Sequence, residues 1–127
     1  MKTITLKFGG SALADAETIE KACRIILNKA PESACHVVVS ALKGCTEQLI
    51  RICTVAAEHP QAALKQLDEL LEQHQQLAGQ LLGADKIDQW RQETAVFVEQ
   101  ARQRLGGQKL DGFDLATVLS LGEKLSA

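Results

Sequence analysis

Hydrophobic and polar positions change period several times along the chain, and each change marks an element. Residues 3–8 alternate as Thr3-Ile4-Thr5-Leu6-Lys7-Phe8, which predicts a β-strand with Ile4, Leu6 and Phe8 on one face. Gly9-Gly10-Ser11 breaks the alternation. From Asp15 to Lys29 apolar residues recur at Ile19, Ala22, Cys23, Ile26 and Leu27, the spacing of a helix. Asp15 is its N-cap candidate, while Thr18, three residues on, makes a poor capping box. After Pro31 and Ser33 the run Cys35-His36-Val37-Val38-Val39-Ser40 predicts a second strand. Its unbroken β-branched stretch implies cover on both faces, as in a parallel sheet. Strand, helix and strand in this order form a βαβ unit, so the fold class is α/β.

Beyond Ser40 the helical period takes over. Gly44-Cys45-Thr46 opens a helix through Leu49, Ile50, Cys53, Ala56 and Ala57. Pro60 sits where a first helical turn tolerates it, followed by Leu64, Leu67, Leu70, Leu71, Leu77 and Leu81. Ile87, Trp90, Phe97, Ala101 and Leu105 mark another helix, with Gly106-Gly107 as its C-cap. These two long Gln-rich helices are expected to pair as an antiparallel hairpin. A last amphipathic stretch runs from Asp111 onward with Leu115, Val118, Leu119 and Leu125. The expected organisation is one unit over 1–127: a βαβα segment (1–58), a helical hairpin insertion (59–106) and a final helix (111–127). No repeat or linker divides it.

Composition narrows the partners. With three Phe, one Trp and no Tyr, the core must be built from Leu, Ile, Val and Ala. A net charge of -2 offers no footprint for nucleic acid or an anionic membrane surface, so a small anionic ligand needs local cations or backbone amides. The start lacks the apolar core of a signal peptide, and no apolar run approaches the roughly 18–20 residues of a membrane span. A cytoplasmic location is the expectation. Cys23, Cys35, Cys45 and Cys53 show no C-x-x-C spacing, which argues against zinc and for reduced, mostly buried thiols.

Three segments carry candidate chemistry. In Lys7-Phe8-Gly9-Gly10-Ser11 a lysine ends the first strand, and two glycines let backbone N–H groups approach an oxyanion. Ligands of open α/β sheets bind beyond that end of the strands. The spacing of a P-loop is absent, and the same residues read equally well as a tight turn beside a solvated charge. Ser40-Ala41-Leu42-Lys43-Gly44-Cys45-Thr46 again places hydroxyls and a glycine after a strand, where Ser40 and Thr46 suit a carboxylate or phosphate oxygen, or simply an N-cap. Ser120-Leu121-Gly122-Glu123-Lys124-Leu125-Ser126-Ala127 holds a glycine that costs a helix about 1 kcal/mol relative to Ala, which calls for a packing or approach reason. Glu123 beside it could receive a ligand ammonium or be an exposed helix charge.

Taken together and in this order, the segments resemble the amino acid kinase family, and within it the aspartokinases. Members begin with a strand reading K-F-G-G-[TS]-S, continue to a strand ending V-S-A followed by G-x-T, and reach an S-x-G-E-x-x-S helix after a long helical insertion. The corresponding residues are Lys7 to Ser11, Val39-Ser40-Ala41 with Gly44-Cys45-Thr46, and Ser120 to Ser126. The resemblance covers the chain, and the insertion favours aspartokinases over relatives acting on glutamate, acetylglutamate, carbamate or UMP.

The resemblance implies transfer of the γ-phosphoryl group of ATP, with Mg2+, to the side-chain carboxylate of L-aspartate, on the route to lysine, threonine and methionine. Lys7 would neutralise the transferring phosphoryl group. Gly9, Gly10 and Ser11 would donate to phosphate oxygens, Ser40 and Thr46 would hold aspartate, and Glu123 would pair with its α-ammonium. Ser11 stands where members usually have Thr, and Ala12 where they usually have Ser, which removes one possible contact. The nucleotide-binding half of a complete family domain is expected to lie outside these 127 residues, leaving an unpaired sheet edge, an isolated chain without turnover and a tendency to homo-oligomers. The rival expectation is a non-catalytic fragment or helical interaction module that keeps the motifs as relics.

Overall fold

The computed structural model describes residues 1–107 and 109–127. Strands β1 (Lys2–Phe8) and β2 (Ser33–Val39) pair in parallel, with Leu6 beside Val37 and Phe8 beside Val39. Helix α1 (Ala16–Lys29) is the crossover between them. Its start is better built than the sequence suggested. The Asp15 carboxylate accepts from the Thr18 N–H at 2.9 Å, and Thr18 Oγ1 accepts from the Asp15 N–H at 3.1 Å. A threonine hydroxyl thus completes the reciprocal capping box that usually needs Glu or Gln.

Alternation in β1 decides which face is covered. Leu6 and Phe8, with Val39 from β2, pack against Leu13, Ile19, Ala22 and Ile26 to form a small core beneath α1. Thr3, Thr5 and Lys7 of β1 and Ala34, His36 and Val38 of β2 occupy the other face and are exposed. The expected cover on both faces of β2 is therefore not found among the described residues. Val38 retains 47% of its surface and Val37 42%, because α1 is the helix laid on the sheet while the later helices pack on one another.

Those helices are α2 (Cys45–Ala56), α3 (Pro60–Leu81), α4 (Ala84–Leu105), α5 (Gly112–Leu119) and α6 (Leu121–Ser126). Pro60 opens α3 at its first turn. α3 and α4 run antiparallel: Asp68 in the first half of α3 pairs with Arg102 near the end of α4. Leu49, Leu67, Leu105, Val118 and Leu121 are almost wholly buried and anchor a larger core, each leucine contributing about 1.5–3 kcal/mol of transfer free energy. Leu42, between β2 and α2, packs against both cores and joins them.

Of two helix ends, one matches expectation and one differs. Gly106 caps α4 in an ordinary right-handed conformation (φ -80°, ψ -6°), not the left-handed one that favours glycine. A β-carbon there would lie 3.3 Å from the Arg102 carbonyl oxygen. The final stretch is two helices, not one. The chain turns at Ser120, whose hydroxyl donates to the Thr117 carbonyl at 2.8 Å, and the turn buries Leu121, Gly122 and Leu125. Cys45 and Cys53 are buried, but Cys23 is exposed and Cys35 intermediate, so burial of the thiols is less general than expected. Among the described residues no helix is long and apolar enough to cross a membrane.

Helix α6 is too short to be stable alone and is held by α4. Trp90 Nε1–H donates to the Leu125 carbonyl at 3.1 Å, and Lys124 Nζ stands 4.5 Å from the centre of the Phe97 ring. Trp90→Phe keeps an aromatic ring but loses the donor and part of the indole's packing. It is expected to cost about 1–3 kcal/mol, read as a lower urea midpoint with an unchanged slope.

Candidate active site

The parallel register ends β1 and β2 side by side, so the segments that follow them meet. The Ser40 N–H donates to the Phe8 carbonyl at 3.1 Å, extending the ladder by one step. Gly10 to Leu13 then form a single 3-10 turn, closed by the Ala12 N–H on the Gly9 carbonyl at 3.0 Å. The Lys43 N–H donates to the Leu13 carbonyl at 3.3 Å, which ties this turn to the loop after β2. A β-carbon on Gly10 would sit 3.6 Å from Lys43 Cα and 4.0 Å from the Ala41 carbonyl oxygen.

The third segment arrives from the far end of the chain. Gly122 faces the same loop so closely that a β-carbon would lie 2.9 Å from Ala41 Cβ and 3.3 Å from Cys45 Sγ. The glycine of the Ser-Leu-Gly-Glu segment is thus a close-approach residue. Ser126 Oγ–H donates to the Ser40 carbonyl and clasps the last turn of α6 to the end of β2. Gly44 supplies the remaining requirement: its φ of +81° turns the chain into α2, a conformation that side chains disfavour.

The fold therefore brings together the segments that hold Gly9, Gly10 and Ser40 with the first turn of α2, which holds Thr46, and the helix that carries Glu123. Thr46 follows Cys45 in the first turn of α2, and Glu123 follows Gly122 in the first turn of α6. Glu123 is exposed and its neighbour Lys124 is turned to Phe97, so no ion pair joins them among the described residues. Ser11 is exposed on the turn. The Ser40 hydroxyl donates locally to the Ala41 carbonyl at 2.7 Å, which leaves its oxygen lone pairs to serve a ligand. Lys7 is apart from these groups in one respect: its side chain lies on the open face of the sheet, opposite Phe8. No carboxylate among the described residues is within ion-pair distance of it. Ala12 packs against the small core, so its lack of a hydroxyl suits an apolar surrounding.

Four residues hold the site through contacts that the sequence does not reveal. Ser126 and Trp90 secure α6. Cys45 and His74 form a buried pair with Sγ to Nε2 at 3.8 Å. His74 was legible as a polar residue on the leucine stripe of α3, four residues after Leu70. Burial raises the Cys45 thiol pKa to about 11, with the carboxylates of Glu123 and Glu47 adding to the rise. That keeps it a protonated donor. Burial also holds the His74 imidazole below its ordinary 6.5, opposed in part by its bond to the Leu70 carbonyl.

A parallel βαβ start with polar loops gathered at the strand ends is the architecture of an α/β ligand-binding enzyme domain. The chain belongs to the amino acid kinase family, whose profile matches residues 2–127. It is similar to the aspartokinase of Chlamydia pneumoniae, 29% identical over the whole chain and 26% of that protein. It is also similar to the aspartokinases of Chlamydia trachomatis serovar D (31% identical over 98% of the chain and 26% of that protein) and Chlamydia muridarum (30% over 98% and 25%). The chain spans about a quarter of the length of these curated relatives.

Two measurements check this geometry. Gly122→Ala is expected to destabilise the chain by about 1–3 kcal/mol in urea unfolding, because backbone and Ala41 must part to admit the methyl. The lowered pKa of His74 makes its share of stability fully present above the unfolded value of 6.5 and lost as the pH falls through the folded one. Urea midpoints at about pH 7.5 and about pH 5.5 should therefore differ, and His74→Gln should flatten the difference.

Proposed function

We propose that these residues form the aspartate-side part of an aspartokinase, which moves the γ-phosphoryl group of ATP to the side-chain carboxylate of L-aspartate. The observation that carries the reading is the meeting of three motif segments, remote in sequence, at the carboxyl ends of β1 and β2. The nucleophile is the substrate's own carboxylate, ionised at neutral pH, so the site needs no general base. What it must supply is position and charge compensation.

Glu123 takes the α-ammonium of aspartate, and Ser40 and Thr46 take its oxygens. Lys7 meets charge on the phosphoryl group, and the backbone of Gly9, Gly10 and Ser11 donates to phosphate oxygens. Gly9 supports this assignment. Its backbone is extended (φ -83°, ψ 179°), which any residue adopts, and a β-carbon there would meet nothing within 4 Å. The fold itself thus has no need of a glycine at 9, whereas close approach of a phosphate does. For Mg2+ the fit differs: no grouping of three carboxylate, imidazole or thiol ligands exists among the described residues. The ion would arrive on the nucleotide phosphates, held largely by them and by water. Turnover of ATP, self-association and the biosynthetic role belong to the whole enzyme.

The test is a titration of the isotopically labelled 127-residue chain with L-aspartate, followed by amide shifts. Changes are expected at Ser40, Thr46 and Glu123, and Glu123→Gln should weaken binding about tenfold, the worth of a lost charge-assisted bond. Lys7→Ala should leave aspartate affinity in place and weaken tripolyphosphate binding. A coupled ATP assay on the same chain should show no turnover. Affinities unchanged by Lys7→Ala and Glu123→Gln would sink the residue assignments, and no response to aspartate at all would favour the non-catalytic helical module.

A further inference from the structure

The leucine stripe of α3 is interrupted by an imidazole. His74 keeps only 6% of its surface, on the same buried face as Leu67, Leu70 and Ala78. A polar ring in such a place costs free energy unless both nitrogens find partners. Both do. Nδ1 lies 2.9 Å from the Leu70 carbonyl oxygen, which can only accept, so Nδ1 carries the proton. Nε2 is then the bare nitrogen, an acceptor for the Cys45 thiol, whose sulfur lies 3.8 Å away. Cys45 is itself buried at 2% exposure and is the first residue of α2.

The thiol has a second neighbour. Cys45 Sγ would lie 3.3 Å from a β-carbon on Gly122, so it sits between the imidazole of α3 and the backbone of α6. Each flank borders a residue of the aspartate site: Thr46 follows Cys45, and Glu123 follows Gly122. A leucine at 74 would fill a similar volume with no donor or acceptor to satisfy, and apolar replacement of buried polar pairs is often neutral or stabilising. Stability alone therefore does not account for a histidine here.

We propose that His74 is a positioning residue of the aspartate site, which acts through the Cys45 thiol to hold Thr46 and Glu123 in register. The hairpin insertion would thus set substrate affinity from beneath the site without touching the ligand. The inference rests on the function proposed above and extends it to the insertion.

The experiment compares His74→Leu, His74→Gln and Cys45→Ala in the labelled 127-residue chain. His74→Leu should leave the fold and the urea midpoint intact or improved, displace the Thr46 and Glu123 amide resonances, and lower L-aspartate affinity about fivefold, the worth of one hydrogen bond. His74→Gln, whose side-chain oxygen can accept from the thiol, should restore most of the affinity. Cys45→Ala should reproduce the loss, and the double variant should add nothing to it. Folded His74→Leu with Thr46 and Glu123 unmoved would overturn the proposal. So would equal losses in the leucine and glutamine variants, which would mark a purely structural role. If His74→Leu does not fold, His74→Gln and Cys45→Ala decide alone: unmoved amides in Cys45→Ala count against the proposal. If the parent chain ignores aspartate, the function proposed above fails, while the amide displacements still decide whether His74 sets the register.

Discussion

Ala41 is approached from two directions, and both approaches depend on glycine. Gly10 brings the turn after β1 to its carbonyl oxygen, and Gly122 brings α6 to its methyl group. The loop after β2 is therefore the point where the start, the middle and the far end of the chain meet. Any side chain at 122 would push α6 away from Ala41 by its own bulk, and Ser126 would lose its reach to the Ser40 carbonyl. The rest of the arrangement follows from this contact. Glu123 overlooks the first turn of α2 because Gly122 lies against Cys45, one residue before Thr46.

This closeness needs support, since α6 has only six residues and an isolated helix of that length does not hold together in water. The support comes from the helical insertion. α4 grips α6 through Trp90 and Phe97, while α3 reaches the same junction through His74 and Cys45. The insertion thus serves as the floor of the site. The sheet has less cover: α1 shields one face, and Lys7 stands on the other with Thr3, Thr5 and Val38. That face leaves the Lys7 side chain exposed.

Residue patterns read along the chain were most reliable where a period is intrinsic to the backbone. The alternation of Ile4, Leu6 and Phe8 is the pleat itself. The spacing of leucines on α3 is the helical turn, and Pro60 opens that helix because its missing N–H is unneeded there. Reading failed where the partner was remote. The valine run of β2 has the composition of a doubly covered strand, yet cover depends on what is packed against it. Asp15 with Thr18 looked like half a capping box, and only backbone geometry shows that the hydroxyl reaches. The final stretch read as one helix because Ser120 breaks no period; the bend is set by burial of Leu121 and Leu125 against α2 and α4.

The candidate site divides in the same way. Composition and order settle which residue types are available: a lysine and two glycines after a strand, hydroxyls beside Gly44, an acid beside Gly122. They also settle that Gly122 needs a reason, since glycine weakens a helix. The reason itself comes from the folded chain, because a β-carbon on Gly122 would lie 2.9 Å from Ala41 Cβ, and that approach leaves no periodic trace in either segment. The roles of Ser126, Trp90, Cys45 and His74 belong to the same class. Each acts through one contact across the fold, and local propensity carries no information about which distant atom a side chain will meet.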